Sequence, residues 1–316
     1  MSPKTILVTV PMEHLPEARG VLDESGRVIY TDHPSRNEIL PLLPEVDAIF
    51  PNTKMMLDAA IINASPRLKV ICTPSTGTDH IDKNYCKARG VEVLSITRDY
   101  ELLKTITSTA EHAFGLMVNV VRNMPWSYDS VREGDWDYTR FRGRELQGRV
   151  LGIVGYGRLG TMMSRFARAF DMEVLAFDPY VVVPDDWVTQ VDLDELLARS
   201  EIISLHVHLT PETYGMVDRS WFDRMGGTYL VNTSRGCLID EAALLDALED
   251  GRVKAAGLDV ICGEIEGDTR AHPLVQYASS HSTLMITPHC GGMSYDGQEK
   301  AFRFAAQKLR RYLETV

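Results

Sequence analysis

Short apolar runs and longer mixed runs take turns along this chain. "TILVTV", "RVIY", "DAIF", "LKVICT" and "VEVLSI" are brief and rich in β-branched side chains, which predicts strands. Between them, "LPEARGVLDESG", "SRNEILPLL", "LDAAIINAS" and "KNYCKARG" space their apolar residues wholly or partly as helices do. Alternation of this kind implies parallel strands joined by crossover helices. From Thr105 to Arg122, "TITSTAEHAFGLMVNVVR" keeps helical spacing with no proline and one glycine, so a long helix is expected there. The aromatic, charged stretch "PWSYDSVREGDWDYTRFRGRELQG" reads as a span between two domains or two subunits. Alternation then restarts with "RVLGIVG", "EVLAFD", "EIISLHV", "TYLVNTS", "KAAGLDV" and "TLMITP". These runs are almost continuously apolar, as in strands covered by helices on both faces. A final amphipathic helix, "SYDGQEKAFRFAAQKLRRYLETV", carries basic residues toward its C-terminal end. The pattern predicts two α/β units that meet near residue 100 and again near residue 290.

Length and composition narrow the function classes. A chain of 316 residues suits two domains of ordinary size, and 44% hydrophobic with 24% charged residues is normal for a globular protein. The net charge of −11 leaves no general footprint for nucleic acid or an anionic membrane, so an anionic ligand needs a locally positive site. The five cysteines are odd in number and form no Cys-x-x-Cys pair. Metal and disulfide readings are therefore weak, no metal is expected, and Cys237 and Cys290 read as small packing residues. The N-terminus enters a strand-like run without a signal-peptide pattern, and no apolar run approaches a membrane span. A cytoplasmic protein with no membrane or nucleic-acid partner is expected.

Candidate chemistry begins after "RVLGIVG". The segment "GYGRLG" places Gly155, Gly157 and Gly160 in a Gly-x-Gly-x-x-Gly spacing between a strand and a predicted helix. The next strand, "EVLAFD", ends in Asp178. Gly155 permits the tight turn, Gly157 lets the backbone approach a pyrophosphate, and Gly160 lets helix and strand pack closely. Arg158 and Leu159 sit at the helix N-terminus, whose free N–H groups favour phosphate. Asp178 is placed to accept hydrogen bonds from an adenosine ribose, and Pro179 to Val183 contain no cation to offset a 2′-phosphate. The pattern predicts dinucleotide binding with NAD preferred over NADP. Thr233, in "VNTS", is included in the cofactor set.

Three further residues follow strand ends. Arg235 succeeds "YLVNTS", Glu264 lies in the loop after "GLDV" with its Asp259, and His289 stands in "TPHCGG". Ligands of doubly wound sheets gather outside the carboxyl ends of the strands, so this regularity aims an arginine, a carboxylate and an imidazole at one region. His112 and His206 read as packed core or interface groups.

With these residues in place, the sequence resembles the D-isomer-specific 2-hydroxyacid dehydrogenase family over nearly its whole length. "GRELQGRVLGIVGYGRLG", "VNTSRGCLIDEAALLDALEDGRV", "GLDV" with Glu264, and "TPHCGG" carry the resemblance, with weaker echoes in "STGTDHID" and "TAEH". It implies two doubly wound parallel-sheet α/β domains of Rossmann and flavodoxin-like type. The nucleotide domain, 101–289, would be inserted in a discontinuous substrate domain, 1–100 plus 290–316. It implies hydride transfer between NAD(H) and a small anionic D-2-hydroxy or 2-keto acid. Arg235 would bind the substrate carboxylate and keto oxygen, His289 would act as general acid/base, and Glu264 would pair with His289. Ser75, Thr76 and Gly77 would offer backbone N–H groups to the carboxylate, and Asp259 would contact the nicotinamide end. A homodimer is the family expectation, with the stretch from Trp126 to Phe141 as part of the contact. Departures are Ile265 after Glu264, where the family often has proline, and His208, also in place of a usual proline. They leave the identity of the acid open, as do Arg98 and Lys104, which either hold a second anionic group or are solvated charges. A 3-phosphoglycerate dehydrogenase and a non-catalytic NAD-sensing protein are the alternatives; the end at Val316, with no added regulatory segment, is taken to favour a plain enzyme.

Overall fold

The computed structural model describes residues 3–265 and 267–316. They form two compact units. One contains residues up to Ile106 together with Met293–Val316, and the other is Thr107–Gly292. The joins thus fall a few residues beyond the expected 100 and 290.

The first unit is built on a five-stranded parallel sheet. Its strands are β1 (Thr5–Val8), β2 (Arg27–Tyr30), β3 (Ala48–Phe50), β4 (Val70–Cys72) and β5 (Glu92–Leu94), in spatial order β2-β1-β3-β4-β5. Side chains of a strand point alternately to its two faces, and both faces are buried here. Ile6 and Val8 face one core with Phe50, Val70 and Cys72, while Leu7 faces the other with Ile49 and Ile71. The C-terminal helix, Tyr295–Leu313, closes the first core with Ala305, Leu309 and Leu313.

The second unit carries seven parallel strands. They are β6 (Val150–Val154), β7 (Glu173–Phe177), β8 (Val188–Gln190), β9 (Ile202–Leu205), β10 (Thr228–Asn232), β11 (Val253–Leu258) and β12 (Leu284–Ile286). Their spatial order is β12-β11-β10-β9-β6-β7-β8. β8, the polar edge strand "VTQ", is absent from the sequence-based expectation. The order reverses at β6, so the loop after β6 stands at the switch point where doubly wound sheets bind ligands. The expected long helix is Ser108–Val121, with Ala113, Leu116, Met117 and Val120 buried in one of the two cores of this unit. The aromatic stretch belongs to the same unit as a helix, Met124–Arg132, and a 3-10 turn, Tyr138–Phe141.

Candidate active site

The loop after β6 is shaped by its glycines. Gly155 has φ +91°, and a Cβ there would stand 2.5 Å from the His206 carbonyl oxygen. At Gly160 a Cβ would lie 2.2 Å from the Gly155 carbonyl oxygen, so helix and loop meet only because both side chains are missing. A Cβ at Gly157 would instead enter open space. Gly157 caps the helix Arg158–Ala169 with no side-chain acceptor, whereas the helices starting at Leu193, Arg219 and Glu241 are capped by Asp192, Asp218 and Asp240. The start of the Arg158 helix thus lacks the side-chain cap that the other three carry, the kind of helix end that accepts an anion.

Asp178, at the end of β7, is locked to this loop. Its Oδ2 accepts from Tyr156 N at 2.8 Å, and Oδ1 accepts from Tyr180 N and Val181 N at 2.8 and 3.1 Å. Tyr156 is buried, with its hydroxyl bonded to Ser164 and Asp185; burial pushes the phenol up to about 12. Burial also draws the Arg158 guanidinium below its usual range.

β10, β11 and β12 pair in register, with Asn232 beside Leu258 and Leu258 beside Ile286, so the loops leaving them start level. Asn232 orders the first loop: its Oδ1 accepts from Ser234 N at 2.9 Å and its Nδ2 donates to the Arg235 carbonyl at 2.8 Å. Arg235 Nη1 donates to the Ser234 carbonyl at 2.7 Å. Thr233 Oγ1 is buried with no hydrogen-bond partner among the described residues. An orphaned hydroxyl costs stability unless a ligand satisfies it.

The third loop carries His289, whose φ of +54° is uncommon for a side chain larger than glycine. Its amide donates to the Asp259 carbonyl at 2.8 Å, and its Nδ1 lies 2.5 Å from Glu264 Oε1. The Glu264 bond engages Nδ1 and leaves Nε2 on the opposite side of the ring. The pair is not sealed: the His289 side chain is 40% exposed and that of Glu264 is 21%.

Asp259 sits beneath this turn at 1% exposure. Its Oδ1 accepts from Thr287 Oγ1 (2.6 Å) and Cys290 N (2.9 Å), with His112 Nε2 at 3.2 Å, and its Oδ2 accepts from Gly291 N at 2.8 Å. Burial works to raise this carboxyl, but the bonds from His112, Thr287 and the two amides outweigh it and hold it below the usual carboxylate range.

The segment 114–291 matches the family model described as "D-isomer specific 2-hydroxyacid dehydrogenase, NAD binding domain", more than half of the chain. This chain belongs to that family. Relatives include a D-3-phosphoglycerate dehydrogenase of Mycobacterium bovis, 35% identical over 299 residues, covering 93% of this chain and 54% of the relative. The chain spans about half the length of such relatives. A hydroxypyruvate reductase of Thermotoga maritima is also 35% identical, with 90% of each chain covered. Among solved structures, a D-lactate dehydrogenase from Aquifex aeolicus, complexed with NAD and lactic acid, superposes with a TM-score of 0.83 at 29% identity, covering 99% of this chain and 96% of that one. The family's NAD binding domain accounts for these features: bare Gly157 and the uncapped helix start after β6, oriented Asp178 after β7 and the orphaned Thr233 hydroxyl after β10 all fit a dinucleotide.

The family loop "STGTDHID" follows β4 in the first unit. Ser75 Oγ bonds Thr73 Oγ1 at 2.7 Å and the Gly77 carbonyl at 2.5 Å, and Thr97 Oγ1 holds the Thr76 carbonyl at 2.7 Å. Lys104, one of the two open cations, has Nζ 2.7 Å from Glu101 Oε1.

The cysteine reading is corrected. Cys237 is not a free packing residue; it forms a disulfide with Cys262. Parallel pairing explains the bridge. Cys237 lies five residues past Asn232 and Cys262 four past Leu258, so excursions of similar length from neighbouring strand ends meet, which sequence spacing alone does not reveal. Cys290 remains a free thiol, pushed up by burial and by Asp259, which makes it a poor nucleophile.

His112, which the sequence reads as a core or interface group, packs into the Asp259 network: it reaches Asp259 and lies 2.9 Å from Thr287 Oγ1. It lies in the echo "TAEH", and its partners are distant in sequence. His206 does sit as a packed group, its Nε2 on Ser204 Oγ at 2.9 Å and its Nδ1 without a partner among the described residues. Burial depresses it to about 4. The unfolded chain therefore binds a proton that the folded chain refuses between about pH 6.5 and 4, so stability falls as pH drops through that window, by at most about 1.4 kcal/mol per pH unit. Denaturant melts of His206→Gln against wild type are expected to show a shallower acid slope in the variant; equal slopes would discharge His206 from this role.

Proposed function

We propose that this chain is an NAD-dependent oxidoreductase that interconverts a D-2-hydroxy acid and its 2-keto acid. The observation that carries the reading is the Glu264–His289 bond of 2.5 Å, set just past the strand ends of the unit that bears the dinucleotide loop. When bound, NAD(H) supplies or accepts a hydride at C2 of the substrate. In reduction, His289 as imidazolium gives a proton to the keto oxygen; in oxidation the neutral ring takes it from the hydroxyl. Glu264 fixes the ring and favours its charged form, acting on the other nitrogen. Arg235 offers a planar fork to the substrate carboxylate and polarises the carbonyl; Ser75, Thr76 and Gly77 are proposed as substrate-binding residues on the family resemblance. A purely NAD-sensing protein has no use for an acid/base pair.

The substrate is expected among small 2-keto acids such as hydroxypyruvate, glyoxylate and pyruvate, with 3-phosphohydroxypyruvate as the alternative suggested by the phosphoglycerate dehydrogenase relatives. The test is NADH oxidation against this panel with purified protein. Turnover of none, at millimolar substrate and neutral pH, sinks the reading. A cytoplasmic location is part of the same proposal, in keeping with use of a cellular nicotinamide pool. Homodimerisation is supported by the exposed Met124, Tyr128, Val131, Trp136 and Tyr138 of the second unit, since solvent-facing apolar groups in one segment favour a partner.

Cofactor choice turns on Asp178. A carboxylate oriented by three amides suits a 2′-hydroxyl and repels a 2′-phosphate. Asp178→Ala is expected to narrow the NAD/NADP ratio of kcat/KM by on the order of tenfold or more. A ratio unchanged from wild type would remove Asp178 from the ribose contact.

A further inference from the structure

We propose that Cys237 and Cys262 form a reversible thiol–disulfide site that ties the Arg235 loop to the Glu264 loop and, when closed, holds Glu264 in place for His289. The proposal rests on the functional reading above only for its kinetic consequence. Each cysteine lies two residues from a member of the proposed constellation: Cys237 follows Arg235, and Cys262 precedes Glu264. The loops already touch where the bridge sits, since a Cβ on Gly236 would come within 2.0 Å of the Ile261 carbonyl carbon. Glu264 also bonds back into the bridged segment, its Oε2 accepting from Ile261 N at 3.3 Å while Oε1 faces His289. Position 262 is thus joined covalently to one loop and, through Ile261 and Glu264, non-covalently to the acid/base pair. Cys262 is also anchored by Glu241 Oε1, which accepts its amide at 2.7 Å, and by His272 Nε2, 3.2 Å from its carbonyl. Both cysteines are half-buried rather than sealed in a core.

The exchange balances with a low-molecular-weight disulfide, RSSR, as oxidant. One cysteine thiolate attacks RSSR, forming a mixed disulfide and releasing RS⁻; the second thiolate displaces the remaining RS⁻ and closes Cys237–Cys262. The two protein sulfurs lose one electron each, RSSR gains two, and the two thiol protons end on the two RSH produced. A dithiol reverses both steps. The other thiols do not confuse the count: Cys72 and Cys86 are buried, which pushes them up to about 12 and about 11, and Cys290 has no disulfide partner.

The test equilibrates wild-type protein over a range of reduced to oxidised glutathione, quenches by alkylation and maps peptides. One reversible transition to a Cys237–Cys262 linked pair is expected. No linkage at any ratio, or two separate glutathione adducts throughout, overturns the site. Hydrogen exchange of the segment 261–264 is then compared in the two forms. It is expected to be several-fold faster when reduced, and equal rates overturn the tether. Finally, pH–rate profiles are taken for both forms and for Cys237→Ser. Reduction is expected to lower keto-acid turnover on the order of tenfold and move the upper pH limit down, with NADH affinity unchanged. Cys237→Ser should stay fixed at the reduced behaviour in either buffer. Equal profiles overturn the coupling to Glu264. If linkage and exchange respond while neither form turns over any 2-keto acid, the functional reading fails and the tether stands.

Discussion

His289→Ala is expected to lower keto-acid turnover by about 10²- to 10⁴-fold, the usual worth of a positioned acid/base. NADH binding should survive, because the features that fit the dinucleotide lie at the β6 loop and the end of β7, away from the imidazole in sequence and role. The measurement is kcat beside NADH affinity by fluorescence titration. Undiminished turnover would end the assignment. Glu264→Gln sharpens the test. Glutamine keeps an acceptor near Nδ1 but removes the negative charge that stands beside the imidazolium. Reduction needs the protonated ring, and its upper pH limit should move down. Oxidation needs the neutral ring, and its rise should begin at lower pH. Both limits must move in the same direction; limits that stay put or rise would dissolve the pair even in a working dehydrogenase.

Asp259→Asn is expected to cost both stability and rate. Asparagine offers one acceptor oxygen where the carboxylate offers two. If that oxygen faces Thr287, His112 and Cys290 N, its NH2 faces the Gly291 N–H, donor against donor. A buried charge is lost from the network in addition. Together these are expected to remove about 3 kcal/mol of stability. Because the same donors fix the turn on which His289 stands, turnover is expected to fall on the order of 10- to 100-fold, the scale of a small misplacement. The acid dependence carries the sign. A carboxyl held below its usual range contributes stability that is present in full above about pH 4, its unfolded value, and is lost as pH falls through the folded value. The gap between wild type and Asp259→Asn in denaturant melts should therefore be constant near neutrality and shrink in acid. A variant that melts with wild type at pH 7 would contradict the network.

Most of this arrangement was readable because it follows local rules. Apolar runs such as "RVLGIVG" declare strands by composition, and Gly155 and Gly160 declare themselves because only a missing side chain fits where they stand. Arg235 and His289 each stand three residues past a strand end and Glu264 six past another, a placement visible in the apolar runs, and their joint role is the proposal made above. What escaped was non-local. β8 is three residues long with a polar majority, and it is a strand because β7 offers it an edge to pair with. The Cys237–Cys262 bridge depends on which strands are neighbours, and no spacing motif encodes that. His112 joins the Asp259 network because a helix brings it under a turn some 170 to 180 residues later in the chain, so its sequence neighbourhood looks like ordinary core.

The left-handed backbone at His289 carries an evolutionary consequence. Glycine adopts that conformation without steric penalty, whereas a side chain there costs on the order of 1 kcal/mol. A lineage under selection for backbone ease alone would be drawn toward glycine at 289, and would give up the imidazole proposed as proton donor. The histidine is thus held against a standing downhill path, and a chain released from its chemistry should lose this residue early, before any sign of decay in the sheets.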